Sequence, residues 1–239
     1  MIKINNDSFK NIEIDKEEVL KYLGYKNQYD MDGNLDLICD DCIKIIKKSS
    51  KPAFLYSYFD IDKNDSGVLI CNTSLTLKGK SIASHLEFCD KIAIFCVTLS
   101  NEIDKIIKES KFDVLRQLFL DTSASVYVEQ ICEQLSQIIK NEIKIKNKDK
   151  NKNLFMTKRY GIGYGDLSLS YHQEILTILN AQKRIGVFAT SDGILTPRKS
   201  VTGIIGFSDK ETENAYKACD SCLLRNDCKY FMEGEYCGK

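Results

Sequence analysis

Two long segments carry apolar residues at three- and four-residue steps, the spacing that places them on one face of an α-helix. The first runs from Leu35 to Lys48, and the second from about Asp113 to Ile143. The apolar positions are Leu35, Ile38, Cys42 and Ile45 in the first segment and Val128, Ile131, Leu135 and Ile138 in the second. Both segments are therefore predicted to be helices that pack against a core through one face.

Shorter helices are predicted from capping and stop signals. Asp15 is placed to cap a helix that Gly24 ends. The segment 81–88 is typical of a short helix. Ser170 with Gln173 has the spacing of a capping box, in which two side chains satisfy free backbone N–H groups at a helix start. A further helix is expected directly after Ser170.

The strands predicted from β-branched and aromatic content are 53–61, 68–71, 74–77, 91–99, 184–189 and 200–207. Residues 62–67 (DKNDSG) have the composition of a turn, so the first three strands are expected to form a small antiparallel meander. The segment 91–99 (KIAIFCVTL) is the strongest candidate for a buried strand. Helices and strands follow one another without regular alternation, which predicts the α+β class.

Composition and charge exclude several classes of protein. The chain has 239 residues with 34 basic and 34 acidic side chains, and this balance argues against a nucleic-acid or membrane-surface protein. No apolar run approaches the roughly 20 residues that span a bilayer. The first residues lack an apolar signal core, so we predict a cytoplasmic protein. We expect one domain over 1–208 and a cysteine-rich tail over 209–239.

A lysine-rich run over 144–153 (KIKNKDKNKN) follows the second long helix. Its simplest interpretation is a solvated linker, and the alternative is a basic patch for an acidic partner.

A glycine-rich loop over 159–166 (RYGIGYGD) is the most distinctive segment. Glycines let backbone groups approach a ligand closely, and Arg159 offers a planar fork suited to a carboxylate or phosphate. Tyr164 adds an aromatic face and a hydroxyl. These parts suit a small anionic ligand with an aromatic or cationic portion, although the spacing alone favours a purely structural turn. The pattern is not the dinucleotide-binding fingerprint.

The loop resembles the Arg-x-x-x-Gly-Tyr motif of the activation domain of B12-dependent methionine synthase. The segments that follow it, KRIGV at 183–187, TSD at 190–192 and SVTG at 200–203, also resemble that family. Upstream, Thr98 and Leu99 and the helix with Asp121, Ala124 and Glu129 are similar to short, stand-alone relatives. Together these matches cover roughly residues 10–208. Ser100 stands where those relatives lead us to expect glycine.

The resemblance implies a helmet-like α+β fold around a twisted antiparallel sheet, with S-adenosylmethionine in a shallow groove. In this family the ligand's methyl group and one electron restore methylcobalamin from cob(II)alamin. By position, Arg159 would bind the methionine carboxylate, Gly161 would offer backbone contacts, and Gly163 would permit the shape of the loop. Tyr164 would contact the ligand directly, and Glu129 would face its amino group. The alternative for Glu129 is an ordinary solvated carboxylate.

The same resemblance implies partners. The cobalamin-binding motif Asp-x-His-x-x-Gly does not surround either histidine, His85 or His172, so the corrinoid is expected on another protein, a cobalamin-bound methionine synthase or another corrinoid protein. Flavodoxin or another reductant would supply the electron. No catalytic acid or base is predicted, because the sulfonium already activates the methyl group. Both histidines are expected to be structural.

Four cysteines lie within 19 residues of the tail: Cys219, Cys222, Cys228 and Cys237. Four thiolates suit tetrahedral zinc or an iron–sulfur cluster, and free thiols or redox disulfides are the alternatives. A second Cys-x-x-Cys, Cys39 and Cys42, falls inside a predicted helix, where we expect one core cysteine and one flanking cysteine.

Two other functions remain open from the sequence. One is a metal or redox module whose ligand loop is vestigial, and the other is an independent methyltransferase that acts on a small molecule or another corrinoid protein. Binding of S-adenosylmethionine separates the activation subunit and the methyltransferase from the redox module.

Overall fold

The computed structural model describes residues 3–4, 12–25, 33–148, 154–210 and 225–232. Its strands are β1 (Lys3–Ile4), β2 (Ala53–Asn64), β3 (Gly67–Ile70), β4 (Thr76–Leu77), β5 (Lys91–Thr98), β6 (Phe155–Met156), β7 (Tyr160–Gly161), β8 (Phe188–Ala189), β9 (Leu195–Thr196) and β10 (Ser200–Ser208). Its α-helices are α1 (Lys16–Tyr22), α2 (Gly33–Ser49), α3 (Lys80–His85), α4 (Asn101–Glu109), α5 (Val114–Lys148), α6 (Tyr171–Leu179), α7 (Ala181–Ile185) and α8 (Lys229–Met232).

An antiparallel sheet forms the centre of the fold, in the order β4-β3-β2-β5-β10-β6. The short strand β1 pairs with β2, and β7 pairs with β10. The strands β8 and β9 form a separate hairpin. The predicted meander is confirmed, because β2, β3 and β4 pair in sequence. The predicted α+β class with an antiparallel sheet and flanking helices is confirmed as well.

The sheet is covered on both faces, and β5 shows this most clearly. Its alternate residues Ala93, Phe95 and Val97 belong to one core cluster, and Ile92, Ile94 and Cys96 belong to another. All six are at most 1% exposed. A strand with both faces buried has an unbroken apolar sequence instead of an alternating one, which is why this segment stands out in the sequence.

Different helices cover the two faces. The first cluster packs the sheet against α1, α2, α4 and α5, and the second packs it against α3, α6, α7 and the glycine-rich loop. The apolar stripe predicted on α5 is confirmed, since Val128, Ile131 and Leu135 are buried. None of the helices in the described ranges has the length and apolar character needed to cross a bilayer.

The prediction of a strand over 184–189 is wrong for its first half. Residues up to Ile185 belong to helix α7, and only Phe188–Ala189 is a strand. Asn180 and Gly186, at φ of +52° and +70°, bound this short helix in the left-handed region. Five residues lie between them, AQKRI, and the first four are good helix formers whose propensity prevails over the β-branched Ile185.

Other helix predictions need correction at their ends. The capping box at Ser170 does not form, because its hydroxyl lies 2.8 Å from the Ser168 hydroxyl and the Gln173 amide donates to the Thr190 carbonyl at 3.1 Å. Helix α5 continues to Lys148, so the first part of the predicted linker is helical. Helix α4 was not predicted.

The glycine at position 203 of β10 gives the fold a specific test. A Cβ atom there would lie 2.6 Å from the Phe95 Cζ atom on the neighbouring strand and 3.1 Å from the Tyr160 carbonyl oxygen. We expect Gly203→Ala to lower the free energy of unfolding by about 1–3 kcal/mol, because both neighbours are held in the core. Urea unfolding followed by circular dichroism measures this. Gly33→Ala is the matched control, with no atom within 4 Å of its Cβ, and equal stability of the two variants would contradict the prediction.

Candidate functional site

Strand β7 anchors the glycine-rich loop to the sheet. Tyr160 and Gly161 pair with Ile204 and Gly203 of β10. The Tyr160 ring is buried against the His85 ring, with 5.0 Å between the ring centroids. The Tyr160 hydroxyl lies 2.7 Å from the Ser81 hydroxyl and donates to the Tyr164 carbonyl at 3.0 Å. One buried tyrosine therefore holds both ends of the loop's first turn.

Asp166 closes the other end of the loop on helix α3. Its carboxylate accepts hydrogen bonds from the backbone N–H groups of Lys80 and Ser81, at 2.6 and 3.1 Å, and from the Ser81 hydroxyl. Helix α3 begins after Gly79, which has no side chain to cap it, so Asp166, 86 positions after Lys80, caps the helix instead. The Ser81 hydroxyl and then the backbone donors hold the pKa of Asp166 below its usual value.

The glycines of the loop are needed for two different reasons. Gly163 and Gly165 have φ of +95° and +55°, backbone conformations that residues other than glycine rarely adopt. Gly161 instead lies against the Tyr164 ring, where a Cβ atom would be 2.7 Å from two ring carbons. Tyr164 as a whole is 64% exposed, so the loop presents an aromatic residue to solvent.

Arg159 reaches from the start of the loop to helix α5. Its Nη1 donates to Glu129 Oε2 at 3.1 Å, and its Nη2 lies 3.8 Å from Glu133 Oε2. The arginine side chain is 27% exposed, and the two glutamates are 48% and 61% exposed. Cys132, which lies between the two glutamates in the sequence, has a buried thiol. Burial raises the pKa of this thiol, and the charge of Glu129 adds a smaller rise. Arg159 has the opposite effect on the pKa.

The structure therefore brings together two predicted site residues, Arg159 and Glu129, and it adds Glu133, which the sequence analysis missed. A signal was present, since a carboxylate four residues after Glu129 lies on the same face of a helix. Gly161, Gly163 and Tyr164 belong to the same loop as Arg159, and Tyr164 packs on Gly161.

A second cation contacts the same face of α5. Lys199 Nζ lies 2.9 Å from Asp121 Oδ1 and donates to the Ser125 hydroxyl at 2.8 Å. Asp121, Ser125, Glu129 and Glu133 follow one another at four-residue steps. Helix α5 thus presents one polar row to the segments before β7 and β10, and a basic residue from each segment contacts it.

Both histidines make contacts that suit a structural role. His172 is buried, its Nδ1 lies 2.6 Å from the Gly193 carbonyl oxygen, and burial lowers its pKa. The His85 ring lies against Tyr160, with Nε2 3.1 Å from the Lys158 carbonyl oxygen.

The expectation of one core and one flanking cysteine on α2 is wrong. Cys39 and Cys42 are both fully buried, and burial raises the pKa of each thiol to about 11. Helix α2 contacts α5 most extensively and also contacts α1 and α4, so more of its surface is buried than one apolar stripe predicts.

Of the predicted tail ligands, only Cys228 lies in the described residues, where it is half-buried and directly precedes α8. Cys219, Cys222 and Cys237 lie outside them. Within the described ranges, no group of three or more His, Cys, Asp or Glu side chains is arranged to hold a metal ion.

Two comparisons with known proteins find matches. The family model of the vitamin B12 dependent methionine synthase activation domain matches residues 79–222. The crystal structure of the MetH reactivation domain bound to AdoHcy is similar, with a TM-score of 0.66 and 15% sequence identity. The similarity covers 98% of this chain and 86% of that chain. The comparison with curated proteins finds no match.

The carboxylate of Asp166 gives a test of how the loop is held. We expect Asp166→Ala to lower the free energy of unfolding by about 1 kcal/mol at neutral pH, because α3 loses its cap. Since the folded-state pKa is lowered, this stabilisation is present above the unfolded pKa and is lost as pH falls through the folded pKa.

The stability gap between the original chain and the variant should therefore be constant above about pH 4 and shrink below it. Urea unfolding at several pH values measures the gap. Asp192→Ala, which changes an exposed acid in the hairpin turn, is the control. A gap that stayed constant at low pH would show that the Asp166 carboxylate is not the stabilising group.

Proposed function

Because the chain belongs to the family of the vitamin B12-dependent methionine synthase activation domain, we propose that it binds S-adenosylmethionine and supports reductive remethylation of a corrinoid. The corrinoid is carried by another protein, a cobalamin-bound methionine synthase or a related corrinoid protein. A flavodoxin-like protein or another reductant supplies the electron. The single observation that carries the proposal is the position of Arg159 at the start of the glycine-rich loop, with its guanidinium against Glu129.

Arg159 suits the carboxylate of the ligand's methionine portion. A guanidinium has five N–H donors in a fixed fork, and a bidentate pair with a carboxylate uses two of them. The side chain is held in place from α5 by Glu129 and Glu133, so little ordering is needed when a ligand arrives. About a quarter of the side chain is open to solvent, which leaves it accessible to the carboxylate of a ligand.

Ligand binding then becomes an exchange of partners. An amino acid ligand carries a carboxylate and an ammonium group on the same carbon atom. When its carboxylate pairs with Arg159, its ammonium is brought near Glu129, which in the free chain accepts from the guanidinium at 3.1 Å. Each charge of the Arg159–Glu129 pair thereby obtains an opposite charge from the ligand.

The chemistry requires positioning more than acid–base catalysis. A sulfonium makes its methyl group electrophilic and releases a neutral thioether, so transfer of the methyl group needs no proton. The corrinoid, when its carrier protein is bound, supplies the cobalt that accepts one electron and the methyl group. The part left to this chain is to hold the ligand so that the methyl group faces outward, and alignment of this kind contributes about 7–11 kcal/mol to lowering a barrier. The exposure of Tyr164 supports a direct contact between its side chain and the ligand.

The direct test is calorimetric titration of the anaerobic protein with S-adenosylmethionine. We expect saturable one-to-one binding, and we expect Arg159→Ala to weaken it at least tenfold, because a charge-assisted bidentate pair contributes about 1.5–3 kcal/mol. Arg184→Ala, which changes an exposed arginine on α7, is the matched control and should bind normally.

Circular dichroism should show that the Arg159→Ala variant keeps its fold. Unchanged affinity in this variant would overturn the site assignment. If binding holds, methyl transfer from labelled S-adenosylmethionine to a reduced corrinoid protein distinguishes an activation subunit from a methyltransferase with a small-molecule acceptor.

For the tail, we propose that Cys219, Cys222, Cys228 and Cys237 hold a zinc ion or an iron–sulfur cluster. The four thiols and the close Cys-x-x-Cys pair support this. An iron–sulfur cluster in the tail would place an electron carrier on a protein whose proposed reaction consumes one electron.

Metal analysis of anaerobically purified protein tests the tail proposal. We expect about one zinc ion or one cluster per chain, and its loss when Cys219 and Cys222 are both changed to serine. Cys71→Ser, which changes a half-buried thiol in the described part of the chain, is the control. Metal-free protein, or metal retained by the double variant, would contradict the tail site.

A further inference from the structure

The carbonyl oxygen of Lys158 belongs to the peptide unit that leads directly into Arg159, and side chains hold it from two directions. The Thr157 hydroxyl donates to this oxygen at 2.9 Å. His85 Nε2 lies 3.1 Å from it. Because a carbonyl oxygen only accepts, Nε2 carries the hydrogen and donates it. The oxygen thus accepts two hydrogen bonds, and these fix the peptide plane before Arg159.

Thr157 connects this oxygen to the central sheet. Its hydroxyl accepts from the Gly206 N–H group of β10 at 2.8 Å, and its own N–H group donates to the Gly206 carbonyl at 3.0 Å. Thr157 is buried, and a Cβ atom on Gly206 would lie 3.1 Å from its methyl carbon, so the two residues have little room to move. The position of β10 therefore sets the position of the peptide before Arg159.

His85 connects the same oxygen to helix α3. Its ring packs against the buried Tyr160 ring, with 5.0 Å between the centroids, so α3 contacts the residues on both sides of Arg159. Burial lowers the pKa of His85, although the bond to the Lys158 carbonyl opposes this, so the ring is neutral at neutral pH. A neutral imidazole has one N–H group, and here it points at this carbonyl.

Side chains next to this peptide point to opposite faces of the sheet, as successive residues of a strand do. Tyr160 belongs to the core cluster on the α3 side, whereas Arg159 reaches Glu129 on α5, which covers the other face. Contacts on the α3 side can therefore affect the guanidinium only through the backbone.

We propose that His85 and Thr157 are positioning residues of the ligand site, because they fix the peptide unit from which the Arg159 side chain starts. This inference rests on the proposed function, in which Arg159 binds the carboxylate of S-adenosylmethionine. A bidentate pair needs two N–H groups of the guanidinium to face the carboxylate together. A change in the peptide plane turns the whole side chain, so loss of either donor should weaken binding.

The experiment titrates matched variants of the full chain with S-adenosylmethionine. His85→Phe keeps a ring against Tyr160 and removes the donor, whereas His85→Gln keeps an N–H group at a similar reach. Thr157→Val removes the hydroxyl and keeps the shape, whereas Thr157→Ser keeps the hydroxyl. We expect His85→Phe and Thr157→Val each to weaken binding about two- to tenfold, the range that one hydrogen bond accounts for. The two conservative variants should bind as the original chain does.

Lys63→Met is the control for general loosening of α3. Lys63 Nζ donates to the carbonyls of Glu87 and Cys89, both at 2.8 Å, just after the C-terminal end of the helix. This variant loosens that end without changing a contact to Lys158, so its affinity should equal that of the original chain. Weaker binding in Lys63→Met by the same factor as in His85→Phe would overturn the positioning role.

The Arg159 side-chain N–H signal in NMR spectra of the free chain gives a readout that needs no ligand. Its loss in Arg159→Ala identifies the signal. We expect the signal to shift in His85→Phe and Thr157→Val and to stay in place in His85→Gln and Lys63→Met. An unshifted signal in the first two variants would contradict the inference whether or not the ligand binds.

A double-mutant cycle with Arg159→Ala is the decisive measurement. If His85 acts through Arg159, His85→Phe has no further effect on affinity once the guanidinium is absent. An equal loss of affinity in both backgrounds, or no loss in either, would overturn the positioning role while leaving the proposed function intact. Failure of the original chain to bind S-adenosylmethionine would instead overturn the proposed function, and the role in ligand binding with it.

Discussion

The pairing of β5 with β10 is the constraint on which the other features depend. Eight residues of each strand pair, and both faces of β5 are buried, so neither strand can shift without exposing a core. Strand β7 pairs with the middle of β10, at Gly203 and Ile204. The position of Arg159, directly before β7, is therefore fixed by the strand pairing, and helix α5 packs over the same sheet and meets the guanidinium there.

The loop combines a rigid frame with an exposed surface. Its frame consists of polar contacts that are satisfied within the chain, chiefly the Tyr160 hydroxyl and the Asp166 carboxylate on Ser81. Its exposed part is Tyr164 with the half-buried Arg159. This separation suits a protein that must hold a reactive ligand in a fixed orientation while leaving one side of it open to a partner.

The sequence predicted the features that depend on local periodicity and missed those that depend on contacts across the chain. Helix α2 and the buried strand β5 were recognisable because their apolar patterns are set by burial of their own residues. The capping of α3 by Asp166 was not recognisable in the sequence, because the donor and acceptor are more than 80 residues apart. In the site, the motif identified Arg159, whereas Glu133 required knowing that its face of α5 is the one that Arg159 approaches. The serine found where glycine was expected, Ser100, has a φ of +88°, so the backbone keeps a conformation that suits glycine although the side chain has changed.

The charges around Arg159 are paired within the chain before a ligand arrives. Arg159 pairs with Glu129, and Lys199 pairs with Asp121, so each basic residue that reaches this face of α5 already has a carboxylate partner. Both carboxylates are 48% exposed, so water screens these pairs and each adds little to the stability of the fold. A screened pair can exchange its partner for an opposite charge on a ligand at a small cost in free energy, whereas a fully buried pair would leave an uncompensated charge as soon as one partner moved.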